Sequence, residues 1–187
     1  MADKFDPNFS FSQQLWYYYS TNRGKIRSRY NDLTRKFLAY NDSEENPHAF
    51  LRKPQFEALE MYVFVKEFMN NKQVYEMFDD WRHKRERFSD ASYYAIDKGG
   101  QIRLFDAPTE KQTDTLFKQM KKYREDYPNY IYALTMGLGK TILMAICIFY
   151  EFLLAKKYPR DKRFCHNALV FAPDKTVLQS LREIMTF

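Results

Sequence analysis

The sequence predicts an α/β chain in two parts: a mostly helical N-terminal region over 1–128, then the opening portion of an α/β domain with parallel strands over 129–187. Three observations predict it. Apolar residues recur at helical spacing through much of the first part. After it, short apolar runs at 130–134 and 168–172 alternate with helical segments at 140–156 and 176–185, the order that gives parallel strands joined by crossovers. Between the first run and its helix stands Gly137-Leu138-Gly139, a glycine-rich turn from strand to helix.

The elements follow in order. Phe9, Phe11, Leu15, Trp16 and Tyr19 fit one helical face, with a stop expected at Asn22-Arg23-Gly24. Ile26, Tyr30, Leu33, Phe37 and Leu38 fit another, with Lys25, Arg27, Arg29, Arg35 and Lys36 around it, so one helix is expected over 25–40. Asn41 to Pro47 is a loop. A helix starts at Pro54, whose missing N–H is tolerated in a first turn, and runs to about Asn70. Another is expected over 74–88, rich in charge from Arg82 to Arg87. Residues 93–105 read as a small hairpin around Lys98-Gly99-Gly100, or equally as a loop, and 109–123 returns to helical composition.

At 187 residues, with 29% charged and 45% hydrophobic residues, the chain suits a globular protein and excludes a disordered or fibrous one. The net charge of +6 and 18% aromatic content lean toward a polyanionic partner. Cys147 and Cys165 lack CxxC spacing and read as buried thiols of a reducing cytoplasm. No run approaches the about 20 apolar residues that cross a bilayer, and the N-terminus lacks a signal pattern. A cytoplasmic protein with no membrane partner is expected.

Met136-Gly137-Leu138-Gly139-Lys140-Thr141 carries the chemistry of a phosphate loop. A nucleotide triphosphate needs backbone N–H groups converging on its phosphates, a cation at the β/γ oxygens and a hydroxyl on magnesium. Gly137 and Gly139 permit close backbone approach, Lys140 is the cation, Thr141 is the magnesium ligand, and the helix dipole points its positive end at the anion. Leu134 stands where the strict motif has its first glycine. ATP and Mg2+ are the expected cofactors.

Three segments in order resemble superfamily 2 helicases and translocases of the DEAD/DEAH kind. Leu51-Arg52-Lys53-Pro54-Gln55-Phe56-Glu57-Ala58-Leu59 is similar to the segment whose Gln reads adenine; Met136 to Thr141 resembles motif I; Leu169-Val170-Phe171-Ala172-Pro173 with Glu183 resembles motif Ia. Within that superfamily the likeness is to the N-terminal part of the restriction (Res) subunit of type III restriction enzymes; Met-Gly-Leu-Gly-Lys-Thr-Ile is also similar to Swi/Snf-type translocases. The resemblance implies an incomplete RecA-like ATP-binding lobe, adenine selection by Gln55 with Arg52 beside it, double-stranded DNA contact through Pro173, Asp174 and Lys175, and a modification methyltransferase subunit as a further partner. In that family the Gln usually lies much closer to motif I than Gln55 does to Lys140.

Hydrolysis also requires an acidic pair on magnesium and arginines on the developing phosphoryl charge. Nothing after Thr141 supplies them, so no catalytic residue is expected in this stretch, and the chain reads as the truncated opening of a larger motor. The Arg82–Arg87 cluster could meet DNA phosphates, but such runs are usually a solvated face. Trp16 and Tyr17 to Tyr19 could stack on bases, yet suit a core better. His48, His83 and His166 are scattered. The competing reading is a non-catalytic helical binding module in which Gly-Leu-Gly-Lys-Thr is incidental.

Overall fold

The computed structural model describes residues 9–93, 95–96, 102–103, 108–134 and 137–171. Its chain divides into two compact units, each built from two separated stretches: Met1–Ile26 with Asn71–Tyr130, and Arg27–Asn70 with Ile131–Phe187. The elements in order are α1 (Phe11–Arg27), α2 (Asp32–Asn41), α3 (Lys53–Val63) running into a π turn (Phe64–Phe68), α4 (Val74–Arg82), a 3-10 turn (Glu86–Phe88), β1 (Ala95–Ile96), β2 (Ile102–Arg103), α5 (Glu110–Lys122) and α6 (Lys140–Lys157).

The first unit is organised by aromatic side chains. Phe11, Leu15, Tyr18 and Tyr19 of α1 are buried at helical spacing. Phe11 packs edge-on against Phe78 at 5.1 Å and Trp81 at 5.7 Å, both from α4. α4 opens with Gln73 N–H donating to Glu76 Oε2 at 2.9 Å, and α5 opens on Thr109, whose hydroxyl accepts from Gln112 N–H. Arg82 joins the two helices through Asp114 and lies over the Phe117 ring at 4.6 Å. β1 and β2 form an antiparallel ribbon, Ala95 opposite Arg103 and Ile96 opposite Ile102. The expected turn at Lys98-Gly99-Gly100 lies outside the described residues.

Three helix boundaries differ from expectation, the first being that the helix expected over 74–88 ends at Arg82, with Glu86–Phe88 a separate 3-10 turn. Gly24 does not stop α1: it avoids the left-handed conformation that a glycine cap uses, and the helix continues to Arg27, burying Ile26. The helix expected over 25–40 is broken instead at Asn31, whose Oδ1 accepts from Thr34 N–H at 2.9 Å and starts α2. An Asn-Asp pair at a helix start was the signal.

The expected parallel sheet is overturned. Among the described residues the fold is helical apart from the two-residue ribbon, and that ribbon is antiparallel. Residues 130–134 and 168–171 join no ladder; Ile131 is 95% exposed, Leu169 79% and Phe171 85%. A short apolar run becomes a parallel strand only when neighbours complete its hydrogen bonds and helices cover both faces, and neither condition is met here. The incomplete RecA-like lobe is therefore corrected to a helical unit. Residues 172–187, including the expected second helix, lie outside the described residues.

In the second unit α6 packs on α2 and on α3. Gln55, in the first turn of α3, meets Gly139 at the start of α6, while Tyr62 and Lys66 meet Glu151 further along. α3 and α6 consequently run side by side in the same direction. Two pairs of adjacent residues set this alignment. Lys66 Nζ lies 3.1 Å from Glu151 Oε1, both residues buried at 6% and 5% exposure. Glu151 also accepts from Tyr62 Oη at 2.5 Å and from Cys165 N–H at 2.9 Å. Next door, Glu67 accepts from Tyr150 Oη at 2.6 Å, from Asn31 Nδ2 at 2.9 Å and from the Thr34 hydroxyl. The extra residue of a π turn lets consecutive Lys66 and Glu67 both reach α6.

Removing one partner of a buried pair strands the other charge. Lys66→Met is expected to lower the unfolding free energy in urea by about 3 kcal/mol; a loss below about 1 kcal/mol, the level of an exposed pair, would show that the pair is not a support.

Burial first, then Glu151 for Tyr62 and Glu67 for Tyr150, pushes both phenols well above the ordinary tyrosine range. The folded chain holds two protons that the unfolded chain releases near pH 10. Stability is thus intact below about pH 10 and falls as pH rises beyond it. The urea midpoint should decline above that pH, less steeply in Tyr62→Phe; an unchanged slope in the variant would count against this account.

Candidate phosphate-binding site

The turn before α6 is shaped by two glycines. Gly137 has φ 79° and Gly139 has φ 66°, ψ 50°, left-handed torsions that a Cβ resists. Gly139 is the residue before the first helical turn, and its carbonyl accepts from Leu143 N–H at 3.1 Å and from Gln55 Nε2 at 3.2 Å. A Cβ on Gly139 would stand 2.6 Å from Gln55 Nε2 and 3.3 Å from Ile142 Cδ1, whereas one on Gly137 would meet nothing within 4 Å. At Gly139 a Cβ would displace the Gln55 amide, and at Gly137 only the torsion favours glycine.

Gln55 is buried at 3% exposure. Its Oε1 accepts from Arg52 N–H at 2.8 Å, closing the start of α3, while its Nε2 reaches α6. One amide thus ties two helix N-termini together across 84 positions of sequence. The leading N–H groups of α3 and α6 lack intrahelical acceptors by helix geometry, and both dipoles present their positive ends there. Arg52, Lys53 and Lys140 are exposed around this end, and Leu138 and Thr141 are half-buried. Such an arrangement attracts an anion and can offer it backbone donors.

Of the residues expected from sequence, Arg52, Gln55, Gly137, Leu138, Gly139, Lys140 and Thr141 are described, with Gln55 and Gly139 in direct contact. Met136, Pro173, Asp174 and Lys175 lie outside the described residues. Leu134 is half-buried in irregular chain.

Sequence reasoning missed the side chains that align α3 on α6. Glu151 sits in the apolar run of α6, and Lys66 and Glu67 interrupt the apolar run before Phe68. A charge inside an otherwise apolar helix face was the available signal, because such a charge is kept only with a partner.

Other expected constellations resolve into packing. Arg82 pairs with Asp79 and Asp114, and Arg85 with Asp79 and Asp80. Tyr18 and Tyr19 are core residues, and Tyr18 donates its hydroxyl to the Arg87 carbonyl. Burial, with the Glu151 charge, raises the Cys147 thiol to about 12, which keeps it protonated and poorly nucleophilic. Cys165 is exposed, not buried as expected. Among the described residues no cluster of His, Cys, Asp and Glu could hold a metal ion, and no helix is long and apolar enough to cross a membrane.

No family model matches the chain, and no curated protein or solved structure matches it.

The two glycines should respond differently to alanine. Gly137→Ala is expected to cost about 1–2 kcal/mol for the left-handed torsion alone. Gly139→Ala adds displacement of Gln55 and should cost clearly more by thermal melting. Equal costs would mean that the Gln55 bond does not support the turn.

Proposed function

We propose that this chain binds ATP with Mg2+ at the paired N-termini of α3 and α6, as the nucleotide-binding part of an ATP-dependent DNA helicase or translocase of the type III restriction-subunit kind. The observation that carries this reading is the Gln55–Gly139 bond, which joins the adenine-type segment to the glycine turn in one place. The residues fit a phosphate group: two left-handed glycines, the second meeting the Gln55 amide where a Cβ would stand, and an exposed lysine at the helix start.

In this reading the N–H groups of the turn and of the first turn of α6 bind the phosphates, Lys140 neutralises them and the Thr141 hydroxyl orients toward magnesium. Bound nucleotide supplies the phosphoanhydride and brings its own cation. Gln55 holds the two helix starts at the spacing the phosphates need, and its remaining amide proton and lone pair can meet the adenine edge. Double-stranded DNA and a methyltransferase subunit are the partners of such a motor, and the cytoplasm is its place. The acidic pair needed for hydrolysis is not found among the described residues after Thr141, so binding without turnover is proposed for this chain.

One observation favours a second reading, a non-catalytic helical binding module: both ends of the Gln55 amide are engaged within the protein. Thermal shift with Mg-ATP separates the two. At ligand about 100-fold above its dissociation constant, linkage gives about 2.7 kcal/mol of stabilisation, expected in the wild type and lost in Lys140→Ala. No shift in the wild type would favour the binding module and remove the nucleotide reading.

A further inference from the structure

The first unit contains a cavity of about 350 Å3 between the C-terminal end of α4 and the start of α5. That volume is at the lower end of the about 300–1,000 Å3 typical of small-ligand pockets. Its apolar lining includes Trp81, Tyr93 and Pro108. Each ring is backed by another: Trp81 stacks on Phe78 at 5.8 Å with 27° between planes, and Tyr93 on Phe9 at 6.3 Å with 11°. Rigid rings around a small cavity suit a planar aromatic guest.

The charge at this cavity comes from an unusual helix end. α4 closes with Lys84 N–H donating to the Trp81 carbonyl at 3.2 Å and Arg85 N–H donating to the Asp80 carbonyl at 2.8 Å. This is the Schellman pattern, whose left-handed residue is usually glycine. Here it is Lys84, at φ 50°. A lysine at that position stores strain that glycine would avoid, as Glu86 does two residues on at φ 49°. Lys84 lines the cavity and is exposed, with no ion-pair partner among the described residues. Arg82, also in the lining, is held by Asp79 and Asp114. His83 adds a ring nitrogen engaged with Asp79, and Glu110, from the first turn of α5, is the carboxylate in the lining.

We propose that this cavity binds a planar aromatic anion of the size of one nucleotide, its ring against Trp81 and Tyr93 and its phosphate on Lys84. The same chemistry is offered by a free mononucleotide and by one unpaired nucleotide of a single strand. The site belongs to the first unit and does not rest on the function proposed for the turn at Gly139.

Titrating the full chain with thymidine 5′-monophosphate should quench tryptophan fluorescence saturably, with the quench retained in Trp16→Phe. Loss of the phosphate contact, by using thymidine or by Lys84→Gly, should weaken binding about tenfold, the scale of one charge-assisted hydrogen bond. Lys84→Gly should at the same time raise the melting temperature by about 4 °C, since it relieves the left-handed strain, so lost binding cannot be lost folding. Lys84→Arg should retain binding. An eight-residue oligothymidylate that binds more tightly than the mononucleotide identifies a single strand as the source; equal or weaker binding identifies the free nucleotide. Absence of saturable quenching with either probe, or quenching that survives Lys84→Gly unchanged, overturns the proposal.

Discussion

The second unit depends on two charges taken out of water together. Lys66 and Glu151 are each almost fully buried, and neither could stay so without the other. Their attraction, with the Tyr62 hydroxyl and the Cys165 N–H on the same carboxylate, permits essentially one alignment of α3 on α6. An apolar contact would slide by a turn at small cost. A buried charge cannot, because a slip leaves it unpaired.

From that alignment the character of the opposite end follows. Parallel neighbours place like dipole ends side by side, which costs energy unless something compensates. Here part of the compensation is the Gln55 amide, bonded to Arg52 N–H on one helix and to the Gly139 carbonyl on the other. Arg52, Lys53 and Lys140 are exposed at that same end. In the proposed reading, the spacing of the two helix starts is set by an ion pair some three helical turns away.

The first unit is held differently. Its core is a set of aromatic rings around Phe78 and Trp81, and its helix ends are closed by local bonds at Gln73 and Thr109. α4 ends on a left-handed residue, Lys84 at φ 50°, and Asn71 and Glu86 of the same unit are left-handed too, at φ 55° and 49°.

Helices were the legible part of this sequence. Spacing at 3.6 residues and local caps are encoded within a single turn, so α1 to α6 could be anticipated, with boundary errors at Gly24, at Asn31 and at the end of α4, which stops at Arg82 and not at Phe88. The glycine turn and its lysine were equally legible, because left-handed torsion and a helix start are local properties. Strands were not. The runs at 130–134 and 168–171 look like buried strands by composition, but a strand exists only through partners elsewhere in the chain. The same nonlocality hid the interleaving of the two units, the pairing of Lys66 with Glu151 and the meeting of Gln55 with Gly139. By itself the sequence determined which segments coil and where a left-handed glycine turn begins; only the tertiary structure decided which of them touch, because burial and ion pairing are settled between residues far apart in the chain.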